Sequence, residues 1–205
     1  METIDGQNLL APARIYKKER MNVEMPENYA VFPFSLYGLG KPDLDIAIAS
    51  YKHALEVADG FRPFTLGMKP NFSSYSGWQQ TGLVAAMLGL AEDAKKILVQ
   101  NCQQNNPGFR FPAMWGPIYD AVPDIDHGAN VLNTLQMMAY QVDGDKIHIL
   151  PAWPNEWNVS FKFHATHNTS VECVFSNGEI TKLEVSPQNR VKDIIIGSGI
   201  RYEKF

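Results

Sequence analysis

The sequence predicts an α+β protein in which helices come first and an antiparallel β module follows. Between about residues 43 and 142, apolar side chains recur at helical spacing, whereas beyond that point they alternate with polar ones as in strands. Asn177-Gly178 stands between two alternating runs and is the strongest short-range signal for a two-residue hairpin. We therefore assign residues 1–145 to a helical domain and residues 146–205 to a C-terminal β module.

The composition limits the classes of function. The chain has 205 residues, of which 45% are hydrophobic and 20% charged, which is ordinary for one good-sized globular domain or two small ones. The net charge is −4 and the two signs are interspersed, so the basic stripe needed for nucleic acid or an anionic membrane is missing. No apolar stretch approaches the ~20 residues of a membrane span, and the N-terminal residues lack the pattern of a signal peptide.

Cysteine usage indicates neither a disulfide framework nor a structural zinc site. Cys102 and Cys173 are far apart and lie outside any CxxC pattern. We expect two free, buried thiols and no cofactor or metal.

Four amphipathic or apolar stretches predict the helices. The first opens with Pro42 and Asp43 and ends at Gly60, which are start and stop signals. The second is apolar nearly all round, which predicts burial on most sides. The predicted helices span residues 42–60, 76–90, 91–104 and 128–141.

Five short alternating runs predict the strands of the β module. The linker at 150–157, "LPAWPNEW", contains two prolines and two tryptophans, so we expect it to be rigid and to pack Trp153 and Trp157 at the junction with the helices. The predicted strands span residues 146–150, 159–165, 169–175, 179–185 and 192–197.

Several stretches together resemble a known family. The stretch "DIDHGANVLNTLQMMAYQVDGDKIHILPAWP", followed by strands, resembles the end of the catalytic domain of the inverting α-L-fucosidases, glycoside hydrolase family ninety-five, and of their Bacteroidetes relatives. The stretches "SGWQQTGLVAAMLGLAEDAKKIL" and "ENYAVFPFSLYGLGKPDLDIAI" are similar to preceding parts of these proteins. The order and spacing of the motifs carry the resemblance.

The resemblance implies the helices of an (α/α)6 toroid followed by a β-sandwich. Because this chain has only about four of the toroid helices, it resembles the C-terminal portion of such an enzyme. The substrate would be a carbohydrate whose glycosidic bond is hydrolysed with inversion. The full-length relatives would be periplasmic or secreted.

Asp126 has two compatible interpretations. By itself, Asp126 or Asp124 would be the N-cap of the last predicted helix, worth ~1 kcal/mol. The resemblance makes Asp126 the general base that activates a water molecule, and a helix N-terminus would favour its ionised form. The family has glycine where this chain has His127, a change that puts fucose as the substrate in doubt. A metal site at Asp124, Asp126 and His127 is disfavoured, because the spacing suits no standard loop.

Two long segments, 61–76 and 105–124, exceed the usual helix connection and are rich in proline, glycine and aromatic residues, which is typical of functional loops. Trp115 and Tyr119 could stack on a sugar while Arg110 holds a hydroxyl or carboxylate. Alternatively, these aromatic side chains close the loop over the helices.

The inverting mechanism also needs a general acid, which the resemblance assigns to a segment absent from this chain. Glu27 and Glu56 are the nearest candidates, and we expect both to be solvated. The chain is therefore the C-terminal part of a glycosidase, incomplete alone, or a non-catalytic carbohydrate-binding or remnant module. A helix such as 76–90 would lack neighbours, so we expect a homodimer joined through the helical part, or pairing with the missing N-terminal part of the enzyme.

Overall fold

The structure, a computed structural model, describes residues 1–16, 25–60, 80–103 and 125–202; side chains at 58–60 and 125–127 lie outside the description. In these ranges the chain forms four α-helices. They are α1 (Leu44–Gly60), α2 (Thr81–Met87), α3 (Ala91–Gln103) and α4 (Ile125–Ala139). None of them combines the length and the apolar character needed to cross a membrane.

The strands fall into three sheets. A hairpin of two short strands lies near the N-terminus, and two three-stranded sheets have the orders β3-β4-β8 and β5-β6-β7. The strands are β1 (Glu2–Ile4), β2 (Gln7–Leu9), β3 (Tyr140–Asp143), β4 (Lys146–Ile149), β5 (Val159–Ala165), β6 (Thr169–Ser176), β7 (Glu179–Ser186) and β8 (Ile194–Ile196). Short 3₁₀ helices occupy Pro26–Ala30 and Gln188–Asp193.

The mixed helix-and-strand class and the central hairpin are confirmed. β6 and β7 pair antiparallel, with Ser176 opposite Glu179. Asn177 and Gly178, the two residues between them, have φ of 53° and 81°. Positive φ at both positions is the signature of a type I′ turn, whose twist matches that of the strands it joins.

The strands differ from the predicted antiparallel arrangement in one respect. β8 pairs parallel with β4, placing Ile147 opposite Ile194. The 3₁₀ helix Gln188–Asp193 lies between β7 and β8, and the chain after it pairs with the other sheet. Alternation reveals a strand but not its partner, so the sequence could not separate the two sheets.

The last predicted helix ends two residues too late. Its helical spacing continues through Gln141, but α4 ends at Ala139 and Tyr140 begins β3. β3 pairs antiparallel with β4, so its backbone groups are used in the sheet. The hairpin of β1 and β2 was not predicted, although its turn residues Asp5-Gly6 are a hairpin signal.

The second predicted helix is buried as expected, but the chain itself supplies the cover. The described helix α2 is buried from Thr81 to Ala86, and its neighbours are α3 and α4. The expectation that truncation leaves this helix open for self-association is therefore wrong. The described part of the chain therefore covers α2 by itself.

β4 is covered on both faces. Gln141 of β3 and His148 of β4 are register partners on the face toward the helices, where the Gln141 amide reaches the Ala86 carbonyl of α2. The same face meets Gly40, because a methyl group there would lie 3.7 Å from His148 Cε1. One apolar cluster runs from α2 and α4 through β4 to β6 and β7.

Aromatic contacts join the two three-stranded sheets. Tyr140 of β3 lies with its ring centroid 5.1 Å from that of Phe163 and 6.0 Å from that of Phe161, both on β5. Tyr140 and its register partner Ile149 share the face of their sheet that looks away from the helices. The two sheets therefore bury apolar side chains against each other. The sheet that contains β4 lies between the helices and the sheet β5-β6-β7.

The linker packs as predicted. Trp153 is buried, and its indole Nε1 donates to the Trp157 carbonyl at 2.8 Å. The two rings meet edge to face at 5.8 Å. Trp153 belongs to the core cluster that also contains helix residues, and Trp157 packs against that cluster.

The two thiols have different environments. Both cysteines are free, as expected, but Cys102 is exposed on α3, so the prediction of burial is wrong for it. Cys173 is buried on β6, and burial raises the pKa of its thiol to about 12. The Cys173 thiol therefore stays protonated and acts as a small apolar side chain.

A close backbone approach fixes the end of β8. The Gly197 N–H donates to the Ile149 carbonyl at 2.8 Å, and a methyl group at Gly197 would lie 2.0 Å from the Leu150 carbonyl oxygen. Leu150 has φ of 54°, a conformation that side chains of its size rarely adopt. Only glycine fits position 197 without moving the backbone.

We predict that Gly197→Ala destabilises the protein by about 3 kcal/mol or more, because the new methyl group must displace main-chain atoms. Gly128→Ala is the control, since among the described residues no atom beyond the neighbouring helix backbone lies within 4 Å of the added carbon. It should leave stability unchanged or raise it by up to ~1 kcal/mol. Urea unfolding measures both, and equal effects would contradict the close approach.

A second prediction concerns His148. Burial lowers the pKa of His148 below its ordinary 6.5, with Asp143 acting in the opposite direction. The unfolded chain therefore takes up this proton at higher pH than the folded chain, and the free energy of unfolding falls as pH drops below about 6.5. Substitution His148→Gln should weaken this dependence between about pH 7.5 and 5.5. His164→Gln, at an exposed position on β5, should leave it unchanged; an equal response would refute the assignment.

Candidate functional site

The structure describes the predicted site only in part. Asp126 and His127 are the second and third residues of α4, but their side chains lie outside the description. The other four residues proposed for the site lie outside the described residues altogether. They are Arg110, Trp115, Tyr119 and Asp124. Whether Asp126 faces the long loops therefore stays a prediction.

The backbone position of Asp126 follows from where α4 starts. We predicted a start near Gly128, but the helix begins at Ile125, so Asp126 lies inside the first turn. The N–H groups of a first helical turn have no partner within the helix, and the helix dipole is positive there. The backbone thus provides a setting that favours a negative charge.

Close packing holds α4 against α2 and α3. A methyl group at Gly82 of α2 would lie 3.1 Å from Ile97 Cγ2 and 3.2 Å from Thr134 Cγ2. Thr134, in the second half of α4, is buried. The small residue at position 82 therefore allows the three helices to approach closely and fixes the axis of α4.

The C-terminal end of α4 is held by hydrogen bonds from later residues. The carbonyl of Met137 accepts from Gln141 Nε2 at 2.8 Å, that of Met138 from the Ala152 N–H at 3.2 Å, and that of Ala139 from the Leu150 N–H at 2.7 Å. The carbonyls in the last turn of a helix otherwise have no partner in the helix. Gln141 Nε2 also donates to Ala86 O at 2.8 Å, which joins α4 to α2.

These contacts in the second half of α4 determine where its first turn, and therefore Asp126, lies. Thr134 lies eight positions after Asp126 on the helix, which is about 12 Å along its axis. The helix is therefore anchored in its second half and carries Asp126 at the opposite end. A displacement of the anchored half would move the first turn with it.

α4 also has an exposed face with an unusual composition. Leu132 and Leu135 are 66% and 38% exposed, and no charged residue occurs between Gly128 and Ala139. Asn133 and Gln136 complete this face and are neutral. Interfaces are depleted of charged residues at their centres.

A buried ionic cluster lies near the turn between β3 and β4, at the end of these strands away from α4. The sequence did not predict it. Arg190 donates to Asp193 Oδ2 at 2.7 Å, to Thr169 Oγ1 at 3.0 Å and to the Asp145 carbonyl at 3.0 Å. Arg190 and Asp193 are both buried. Because these partners satisfy the guanidinium, we assign the cluster a structural role: it ties two turns to the 3₁₀ helix before β8.

An exposed pair extends this cluster. His167 Nε2 lies 2.8 Å from Asp145 Oδ1, and this hydrogen bond lowers the pKa of Asp145. His164 is likewise exposed, whereas His148 is buried.

The two carboxylates considered for the general acid differ in exposure. Glu56 is exposed as expected, whereas Glu27 is half-buried. Within the described residues, no group of three His, Cys, Asp or Glu side chains could hold a metal ion.

Comparison with models of protein families and with curated proteins gives no match for this chain. The resemblance to the inverting α-L-fucosidases therefore rests on the motifs quoted above. The stretch from Asp126 to Ile149 lies on α4, β3 and β4.

We predict that Gln141→Glu destabilises the protein by about 3 kcal/mol at neutral pH, since a carboxylate would replace the donor to two carbonyl oxygens. Acidification should recover part of the loss, because the neutral acid can donate one hydrogen bond. Gln188→Glu, at an exposed position on the 3₁₀ helix Gln188–Asp193, should change stability by less than about 0.5 kcal/mol. Chemical unfolding at two pH values tests this, and similar losses in the two variants would show that the Gln141 amide does not hold α4.

Proposed function

We propose that this chain is the C-terminal part of a carbohydrate-degrading enzyme of the inverting α-L-fucosidase type. α1 to α4 would belong to an (α/α)6 toroid, and the two three-stranded sheets to a β-sandwich. The contacts of Tyr140 with Phe161 and Phe163 support the second assignment, because they join the apolar faces of the two sheets.

One observation carries the proposal. Asp126 lies in the first turn of α4, and α4 continues without a loop into the β3–β4 hairpin that ends at Leu150-Pro151. This is the order in which the motifs of the resemblance occur. Each motif is weak alone, so their occurrence in one continuous structural unit is the support.

In this proposal Asp126 is the general base of the reaction. Its carboxylate would take a proton from a water molecule as that water attacks the anomeric carbon on the face opposite the leaving group. The first turn of α4 would keep the carboxylate ionised, as a base must be. Trp115, Tyr119 and Arg110 would bind the sugar, with Asp124 and His127 beside the base.

The proposal also implies a partner for this chain, namely the part of the enzyme that supplies the general acid. An inverting enzyme needs a general acid roughly 6.5–9.5 Å from the base, and the resemblance assigns that acid to a segment outside this sequence. Removal of a general acid typically lowers the rate by ~10²–10⁴-fold. The chain alone should therefore bind a sugar analogue without turning over a glycoside.

We predict that the isolated chain binds a fucose- or galactose-configured piperidine iminosugar but does not hydrolyse aryl fucosides or aryl galactosides. The protonated ring nitrogen resembles the charge of the oxocarbenium-like transition state, so a carboxylate should attract it. Asp126→Asn should weaken binding about tenfold or more, as loss of a charge-assisted contact requires. Calorimetry and release of the aryl group measure the two properties.

Asp45→Asn is the matched control, since Asp45 is the second residue of α1 and is exposed. It should leave binding unchanged. Turnover that disappears in Asp126→Asn would show that the site is complete in this sequence. Binding that Asp126→Asn leaves intact would favour the alternative of a non-catalytic carbohydrate-binding module, and no binding at all would favour a remnant.

We also propose that the isolated chain forms a homodimer through the helical part. Support comes from α4, whose outer face is uncharged and exposes Leu132 and Leu135. Two-fold pairing would bury this face in each copy and is the commonest closed arrangement. In the complete enzyme, the N-terminal part would take the place of the second copy.

We predict that the wild-type chain has the mass of a dimer by light scattering and that Leu132→Glu/Leu135→Glu is a folded monomer, because each glutamate would be desolvated in the interface. Ile195→Glu is the control: Ile195 is 40% exposed on β8, close to the 38% of Leu135. It should remain a dimer. A monomeric wild type would refute the proposal, and dissociation by Ile195→Glu alone would move the interface to the β module.

A further inference from the structure

We draw no further inference here: the strongest candidate, the open edge of β5 beside the half-buried rings of Phe161 and Phe163, is a sheet edge with Lys162 at its centre, and nothing in the described part of the structure shows what covers it.

Discussion

The end of α4 is the constraint on which the rest of the structure depends. Its last carbonyls accept hydrogen bonds from the Gln141 side chain and from the backbone of Leu150 and Ala152, so the sheet and the linker complete the helix. The same glutamine reaches Ala86 of α2. Because β3 follows α4 directly, the helices and the sheet cannot move apart without leaving buried polar groups unpaired, each at a cost of ~1–3 kcal/mol.

Other buried polar groups act in the same way at the far side of the molecule. Arg190 is paired with Asp193 and with turn residues of both three-stranded sheets, so its charge is compensated. Breaking such a pair is costly, since the remaining charge stays buried. The apolar core supplies the main driving force for folding, while these polar contacts determine how the layers are oriented. They also fix the axis of α4, and with it the backbone position of Asp126, the proposed catalytic residue.

The sequence predicted what depends on local pattern and missed what depends on distant contacts. The turn at Asn177-Gly178 and, from α1 onward, the order of helices and strands follow from spacing and turn chemistry, and both are present. The boundary at Ala139, the partner of β8 and the Arg190 cluster depend on residues far away in the chain, so no local pattern could reveal them. For the site, the sequence placed Asp126 near a helix start; the orientation of its side chain depends on packing that no motif encodes.

The pairing of β4 with β8 has a consequence for synthesis of the protein. β4 is the middle strand of its sheet, yet its parallel partner Ile194–Ile196 is made about fifty residues later. While the ribosome is still translating that stretch, one edge of β4 has no strand to pair with. The helices can associate during translation, but the sheet beneath them closes only after residue 196 has left the exit tunnel. Until then, a nascent chain presents an unpaired strand edge. Such edges can pair with other chains and aggregate, and chaperones bind chains that expose them.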